Sequence, residues 1–266
     1  MIWMKYDIAA KKLMESGRED ILERFFGVQA DSVDKIEELP TEKTSLRNVD
    51  FALRIKGEGR PEYVLILELQ TEWKSGKVLN LAEYAIRFTL RFPGQEIQPS
   101  MLLLMPNSKA ADHFENSYLT FRFQLIKMWE LNPEDYENAG PEIQSLIPLM
   151  KYGTRYVEVA ERRIYENRDI SREQKGDLLT ALAIFTGLKD KNLTKALLNR
   201  RRDIMIESAF YDLVKEEGIA EGLEKGKREG KLEDARKMFA EGLEIKLVQK
   251  ITGLTEAQLR EAGIIP

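Results

Sequence analysis

The chain has 266 residues, 43% of them hydrophobic and 32% charged, with a formal net charge of −4, no cysteine and a single histidine, His113. This excludes disulfides, thiolate metal sites and cysteine nucleophiles, and argues against a Ser-His-Asp triad or a multi-histidine zinc site. With no global basic field, nucleic-acid contact must come from local Lys/Arg patches, and enzyme chemistry must rest on carboxylates, amides, Lys or Arg with a hard metal such as Mg²⁺.

The opening "MIWMKYDIAAKKLM" carries charges too early and too often for a secretory signal. No apolar run approaches the ~20 residues of a membrane span. A soluble, cytoplasmic protein is expected.

Residues Lys5 to Phe26 predict a helix, with Ile8, Leu13, Ile21, Leu22, Phe25 and Phe26 at roughly helical spacing and Gly17 a candidate break. "SVDKIEEL" reads as a first strand or an irregular edge, and the alternation of "LRNVDFALRI" suits a strand. "KGEGRPE" supplies turn chemistry, and "YVLILELQTEW" follows as a strand of central-sheet character. "VLNLAEYAIRFTLRF" predicts an amphipathic helix with Leu79, Leu81, Ala82, Ala85, Ile86 and Leu90 on its apolar stripe, ended by Pro93-Gly94. "IQPSMLLLMP" and "YLTFRFQLIKMWEL" read as two further strands. Residues 1–133 therefore predict an α/β core, a mixed central sheet flanked by helices.

Beyond Pro133 the pattern turns all-helical. Residues 134–217 contain "LIPLMKYG", a buried turn or short helix, then "YVEVAERRIYE", "REQKGDLLTALAIFTGL" and "LTKALLNRRRDIMIESAFYDLVKEEG". Residues 218–266 form a charged tail in which Gly218, Gly222, Gly226 and Gly230 recur every four residues, on one face of any helix there. Such a series either permits close helix approach or weakens the helix into a hinge, and a hinge or flexible helix is the favoured reading. "EIKLVQKITGLTEAQLREAG" has the order of a helix-turn-helix, but Glu256 and Glu261 against Arg260 suit a partner-binding helical hairpin better than a DNA reader.

The chemistry concentrates on the "LRNVDFALRI"–"YVLILELQTEW" hairpin. Asp50 lies nine residues before Gly59 and Glu68 nine after it. A regular antiparallel hairpin centred there sets the two carboxylates opposite one another, with Cβ atoms ~4.5–5.5 Å apart. Gln70 shares the face of Glu68. Opposed acids repel unless a cation sits between them, and a divalent ion fills that role. Spacing alone also allows an ion pair of either acid with Arg47, Arg54 or Lys74, or a Glu68 that merely marks where the strand meets solvent.

The order of these elements resembles the PD-(D/E)XK nuclease superfamily, and within it the Rpn family of recombination-promoting, transposase-like nucleases. "YDIAAKKLM", "RNVDFALRI", "LILELQTEW", "EYAIRF" and the glycine-punctuated tail before "ITGLTEAQLREAG" carry the resemblance. It implies a restriction-endonuclease-like core and a Mg²⁺-dependent DNA endonuclease, with Mn²⁺ as substitute, serving recombination or transposon-like mobility. It implies that Asp50 and Glu68 bind the metal, that Asp7 on the first helix joins them in holding the metal or its water, and that Gln70 stands where many relatives have lysine. Glutamine can only hydrogen-bond, which shifts water activation onto the metal. The reading from another class is a catalytically inactive nuclease fold acting as a DNA-binding or oligomeric scaffold.

Lower in rank, Arg87, Lys74, Lys77 and Tyr84 are candidate DNA contacts, against an ion pair of Arg87 with Glu83 or a solvated helix face. "NRRRD" at 199–203 reads as a solvated face, and His113 as structural or exposed. The expected partners are DNA and a homo-oligomer formed through the helical C-terminal region, with no membrane.

Overall fold

The computed structural model describes residues 4–36, 49–57 and 60–265. Chain contacts divide the protein into two compact units whose boundary falls between Tyr211 and Asp212.

The first unit opens with α1 (Met4–Ser16) and α2 (Arg18–Phe26). The expected break at Gly17 has a packing reason: a Cβ there would lie 2.5 Å from the Glu142 side chain. Five strands then build one mixed sheet: β1 (Ser32–Lys35), β2 (Phe51–Gly57), β3 (Arg60–Gln70), β4 (Glu96–Leu103) and β7 (Gln124–Lys127), side by side in that order. β1, β2 and β3 pair antiparallel, whereas β3, β4 and β7 pair parallel. The parallel β3–β4 pair requires a crossover, and α3 (Ser75–Arg91) provides it. Residues 46–48 of the expected second strand lie outside the described residues, as do 58 and 59 of the turn.

β3 is apolar because both of its faces are covered. Val64, Leu65, Ile66 and Leu67 are each 0% exposed. Val64 and Ile66 face a cluster with Ala52, Val78, Leu81, Tyr84, Phe88 and Met101. On α3 the buried stripe is Val78, Leu81, Ala82, Tyr84 and Phe88, with Ala85 packed at its margin. The expected stripe is thereby corrected at three positions, since Leu79, Ile86 and Leu90 are exposed. The apolar residues of this helix outnumber one face, and Val78 with the ring of Phe88 selects the face that turns inward.

"YLTFRFQLIKMWEL" divides rather than forming one strand. β6 (Thr120–Arg122) pairs with β5 (His113–Glu115) in a separate two-stranded sheet, and β7 joins the main sheet. Phe123 separates them: it is buried, stacks on Phe121 and Trp73, and donates its backbone N–H to Asp112.

The strand-to-helix change near residue 133 occurs inside the first unit. α4 (Pro141–Leu146), α5 (Val157–Glu166), α6 (Arg172–Gly187) and α7 (Lys191–Met205) follow, and α6 packs against α1, α4, α5 and α7. Lys12 reaches Asp177 on α6 at 3.5 Å, tying α1 to these helices.

The second unit holds most of α8 (Ala209–Ala240), then α9 (Ile245–Thr252) and α10 (Glu256–Glu261). Its core is Ala235, Val248, Leu254, Leu259 and Ile265. α8 runs continuously through Gly218, Gly222, Gly226 and Gly230, and a Cβ at any of them would meet nothing within 4 Å. The glycines thus serve no close helix approach among the described residues, and the expected hinge is not a break in the helix. No helix among the described residues is long and apolar enough to cross a membrane.

Candidate active site

The hairpin has the register that the sequence suggested. Phe51 pairs with Leu67, Ala52 with Ile66 and Leu53 with Leu65, so the ladder extended by one residue brings Asp50 opposite Glu68. Asp50 precedes β2 directly, and its Oδ2 accepts a 2.9 Å hydrogen bond from the Leu69 backbone N–H. That bond fixes the carboxylate of one strand to the backbone of the other. Glu68 and Gln70 alternate onto one face, and the Gln70 Nε2 donates to Glu68 Oε2 at 3.0 Å.

Glu68 is 3% exposed. Burial, then the adjacent Asp50 charge, pushes its pKa up to about 7, and Lys77 on the first turn of α3 opposes the shift. A buried acid at the end of a strand, beside another carboxylate and without a contacting guanidinium, is an unfavourable arrangement in isolation.

The position of Asp7 depends on a residue the sequence reading did not single out. Lys11, one helical turn further along α1, places its ammonium 3.1 Å from Asp7 Oδ2 and 2.7 Å from Asp50 Oδ1. Partial burial lowers the Lys11 pKa, but the hydrogen bonds and charges of Asp50 and Asp7 outweigh this, and the net shift is upward. Asp7 is thus brought to Asp50 through a lysine. Among the described residues no three His, Cys, Asp or Glu side chains form a ready-made metal cage. The Asp50–Glu68 pair still fits a hard divalent ion: Mg²⁺ keeps several waters and is held by one or two carboxylates plus substrate phosphate. Glu68, buried and disfavoured as an anion, is the group that a divalent cation would relieve. The signal for Lys11 was present in the i, i+4 spacing from Asp7, and that for Lys77 in its place at the start of α3, but neither spacing says which carboxylate is reached across the fold.

The remaining candidates are placed as follows. Tyr84 lies at 8% exposure in the core beneath α3. Arg87 pairs with Glu83 at 2.6 Å along the same helix. Lys74 is exposed at the N-terminal cap of α3. "NRRRD" is exposed apart from the half-buried Arg201, and Arg200 and Arg201 reach the buried Glu161 on α5 at 2.6 and 2.8 Å. His113 is exposed and hydrogen-bonded to Asp112.

In the second unit α9 ends at Gly253, whose φ of +68° is the left-handed conformation that closes a helix. Thr255 and Gln258 form a capping box that starts α10. Two short helices joined by this turn pack on α8 as a helix-turn-helix, with Glu256 and Arg260 of α10 paired to one another at 2.8 Å. A family model described as the Rpn/YhgA-like nuclease family, C-terminal HTH domain, matches residues 228–263. The match likens this C-terminal segment to the helix-turn-helix domain of that family. It covers α9, α10 and the second half of α8, and a helix-turn-helix of this kind points toward DNA. No curated protein and no solved structure matches the chain.

Proposed function

We propose that this chain is a divalent-metal-dependent DNA endonuclease of PD-(D/E)XK type, with Mg²⁺ as the working ion and Mn²⁺ as its substitute. The observation that carries this reading is the buried Glu68 carboxyl, raised to about 7 beside Asp50 and without a contacting cation among the described residues. The Rpn/YhgA-like match at residues 228–263 supports nuclease and DNA. Recombination or transposon-like mobility is the corresponding biological role, and a homo-oligomer through the helical C-terminal region is the corresponding assembly.

A divalent ion held there would supply Lewis acidity and an activated water for attack on phosphorus. Asp50 holds its carboxylate at a fixed height, because the Leu69 amide pins one oxygen. Glu68 provides the second ligand from the adjacent strand, and Gln70 fixes its rotamer by donating to one oxygen. Gln70 brings no charge, so the positive groups close to the carboxylates are Lys11 and Lys77. Asp7 assists by holding Lys11.

The test is nicking of supercoiled plasmid with Mg²⁺ or Mn²⁺ by wild type, Asp50→Asn and Glu68→Gln. Metal-dependent nicking by the wild type alone is the expected result. Equal nicking by all three would remove these residues from the reaction. No nicking by folded wild type on any DNA substrate would favour the scaffold reading.

A further inference from the structure

We propose that Lys11 is an internal counter-ion of the candidate metal site, so that metal loading must release its ammonium from Asp50. The inference rests on the metal-site reading of Asp50 and Glu68 and deepens it.

Geometry sets the conflict. Lys11 Nζ lies 2.7 Å from Asp50 Oδ1, the oxygen not already bound by the Leu69 amide. That oxygen is the one with its donor capacity turned toward α1, and an ammonium and a divalent cation compete for it. Charge adds a second argument. Three carboxyls, Asp7, Asp50 and Glu68, stand against two ammoniums, Lys11 and Lys77, so at most one net negative charge greets an incoming ion. A divalent ion reverses that balance, and withdrawal of one resident cation restores it. Lys11 can do so, because its side chain is 38% exposed on a long flexible stem and Asp7 offers it a second carboxylate at 3.1 Å.

A purely structural role for Lys11 is poorly supported by its surroundings. α1 is already anchored by buried Ala9, Ala10, Leu13 and Met14 and by the Lys12–Asp177 pair. Asp50 is already oriented by the Leu69 backbone. What Lys11 adds is charge.

The test measures Mn²⁺ affinity directly, by loss of the free-ion electron paramagnetic resonance signal, at one pH and ionic strength. Wild type, Lys11→Met, Lys11→Gln, Lys11→Arg and Asp50→Asn are compared, with thermal melts confirming that each is folded. Removal of a unit positive charge in contact with a ligand carboxylate is expected to tighten Mn²⁺ binding about tenfold in both neutral variants. Lys11→Arg is expected to stay near wild type. If wild type binds, Asp50→Asn binds weakly, and the folded neutral variants bind no tighter than wild type, the counter-ion proposal is overturned while the metal site stands. If wild type and the neutral variants all fail to bind Mn²⁺ at millimolar concentration, the metal-site reading fails and takes this proposal with it. Because binding is read without turnover, an inactive protein decides the question as well as an active one.

Discussion

Two glutamates, each 3% exposed, sit in the same compact unit and show opposite solutions to burying a charge. Glu161 on α5 is gripped by Arg200 and Arg201 of α7, and the Arg201 guanidinium also lies 3.8 Å from the Tyr165 ring centroid. Arg201 also leaves helical backbone angles, at φ −122° and ψ 16°, where α7 kinks. Glu68 has an amide at 3.0 Å and a neighbouring carboxylate, and its pKa rises to about 7. The first acid is satisfied within the chain and ties helices together. The second is left in deficit at the end of a strand, which is what a site awaiting a cation looks like.

The contrast can be broken most forcefully through activity. Glu68→Gln and Asp50→Asn are each expected to reduce metal-dependent plasmid nicking by on the order of 10³-fold or more, since under the proposed mechanism both remove a charge from the ion's ligand set. Glu161→Gln should leave the nicking rate of the folded fraction within about twofold. Rates taken from initial velocities, at a temperature where all three variants are folded, decide this. Comparable losses at both glutamates would erase the distinction.

Stability should show the reverse ranking. Glu161→Ala removes the shared carboxylate of two arginines and is expected to destabilise by roughly 2 kcal/mol in urea unfolding, moderated because Arg200 is 39% exposed and keeps Glu158 at 3.7 Å. In metal-free buffer at pH 8, Glu68→Gln should be neutral or stabilising, since an amide avoids burying a disfavoured charge.

pH sharpens the comparison further. The folded-state pKa of Glu68 lies above its ordinary value of 4.5, so the folded protein binds the proton more tightly than the unfolded chain. Linkage then makes metal-free stability fall as pH rises from about 4.5 to about 7, by on the order of 3 kcal/mol from this group, and level off above. Glu68→Gln should flatten that slope. The same proton competes with metal, so added Mg²⁺ should raise the melting temperature more at pH 8 than at pH 5.5. Equal shifts at the two pH values would detach Glu68 from the ion. Smallest of all, Arg87→Ala removes an i, i+4 surface pair and should change stability by no more than about 0.5 kcal/mol, read from the same urea curves.

Most of the fold could be read along the chain, for identifiable reasons. The break at Gly17, the pairing of residues 51–53 with 65–67 and the buried character of β3 follow from local spacing, although the register shifts between Ile55 and Gly57. Misreadings arose where local pattern was ambiguous and tertiary contacts decided. α3 carries more apolar residues than one face can bury, so Leu79, Ile86 and Leu90 pointed equally well inward on paper. A single aromatic, Phe123, split an apparently continuous strand by packing on Trp73. At the candidate site Asp50, Glu68 and Gln70 were legible because strand pairing has a two-residue period and the hairpin closes locally. Lys11 was not, because its bond to Asp50 spans 39 positions and depends on where α1 packs. Likewise the basic run at 199–203 is largely exposed as expected, but the sequence does not say that two of its arginines hold the buried Glu161, 39 or 40 residues earlier.

The hydrogen bond from the Leu69 amide to Asp50 has a consequence for how this site can be inherited or transplanted. One candidate carboxylate is indexed to the main chain of the strand that carries the other, so neither is an independent part. Grafting "LILELQ" alone into a foreign sheet would carry over Glu68 and Gln70 but no ruler for their partner. The smallest portable unit is the paired hairpin, Asp50 through Gln70, and its alignment is as much an inherited character as its side chains.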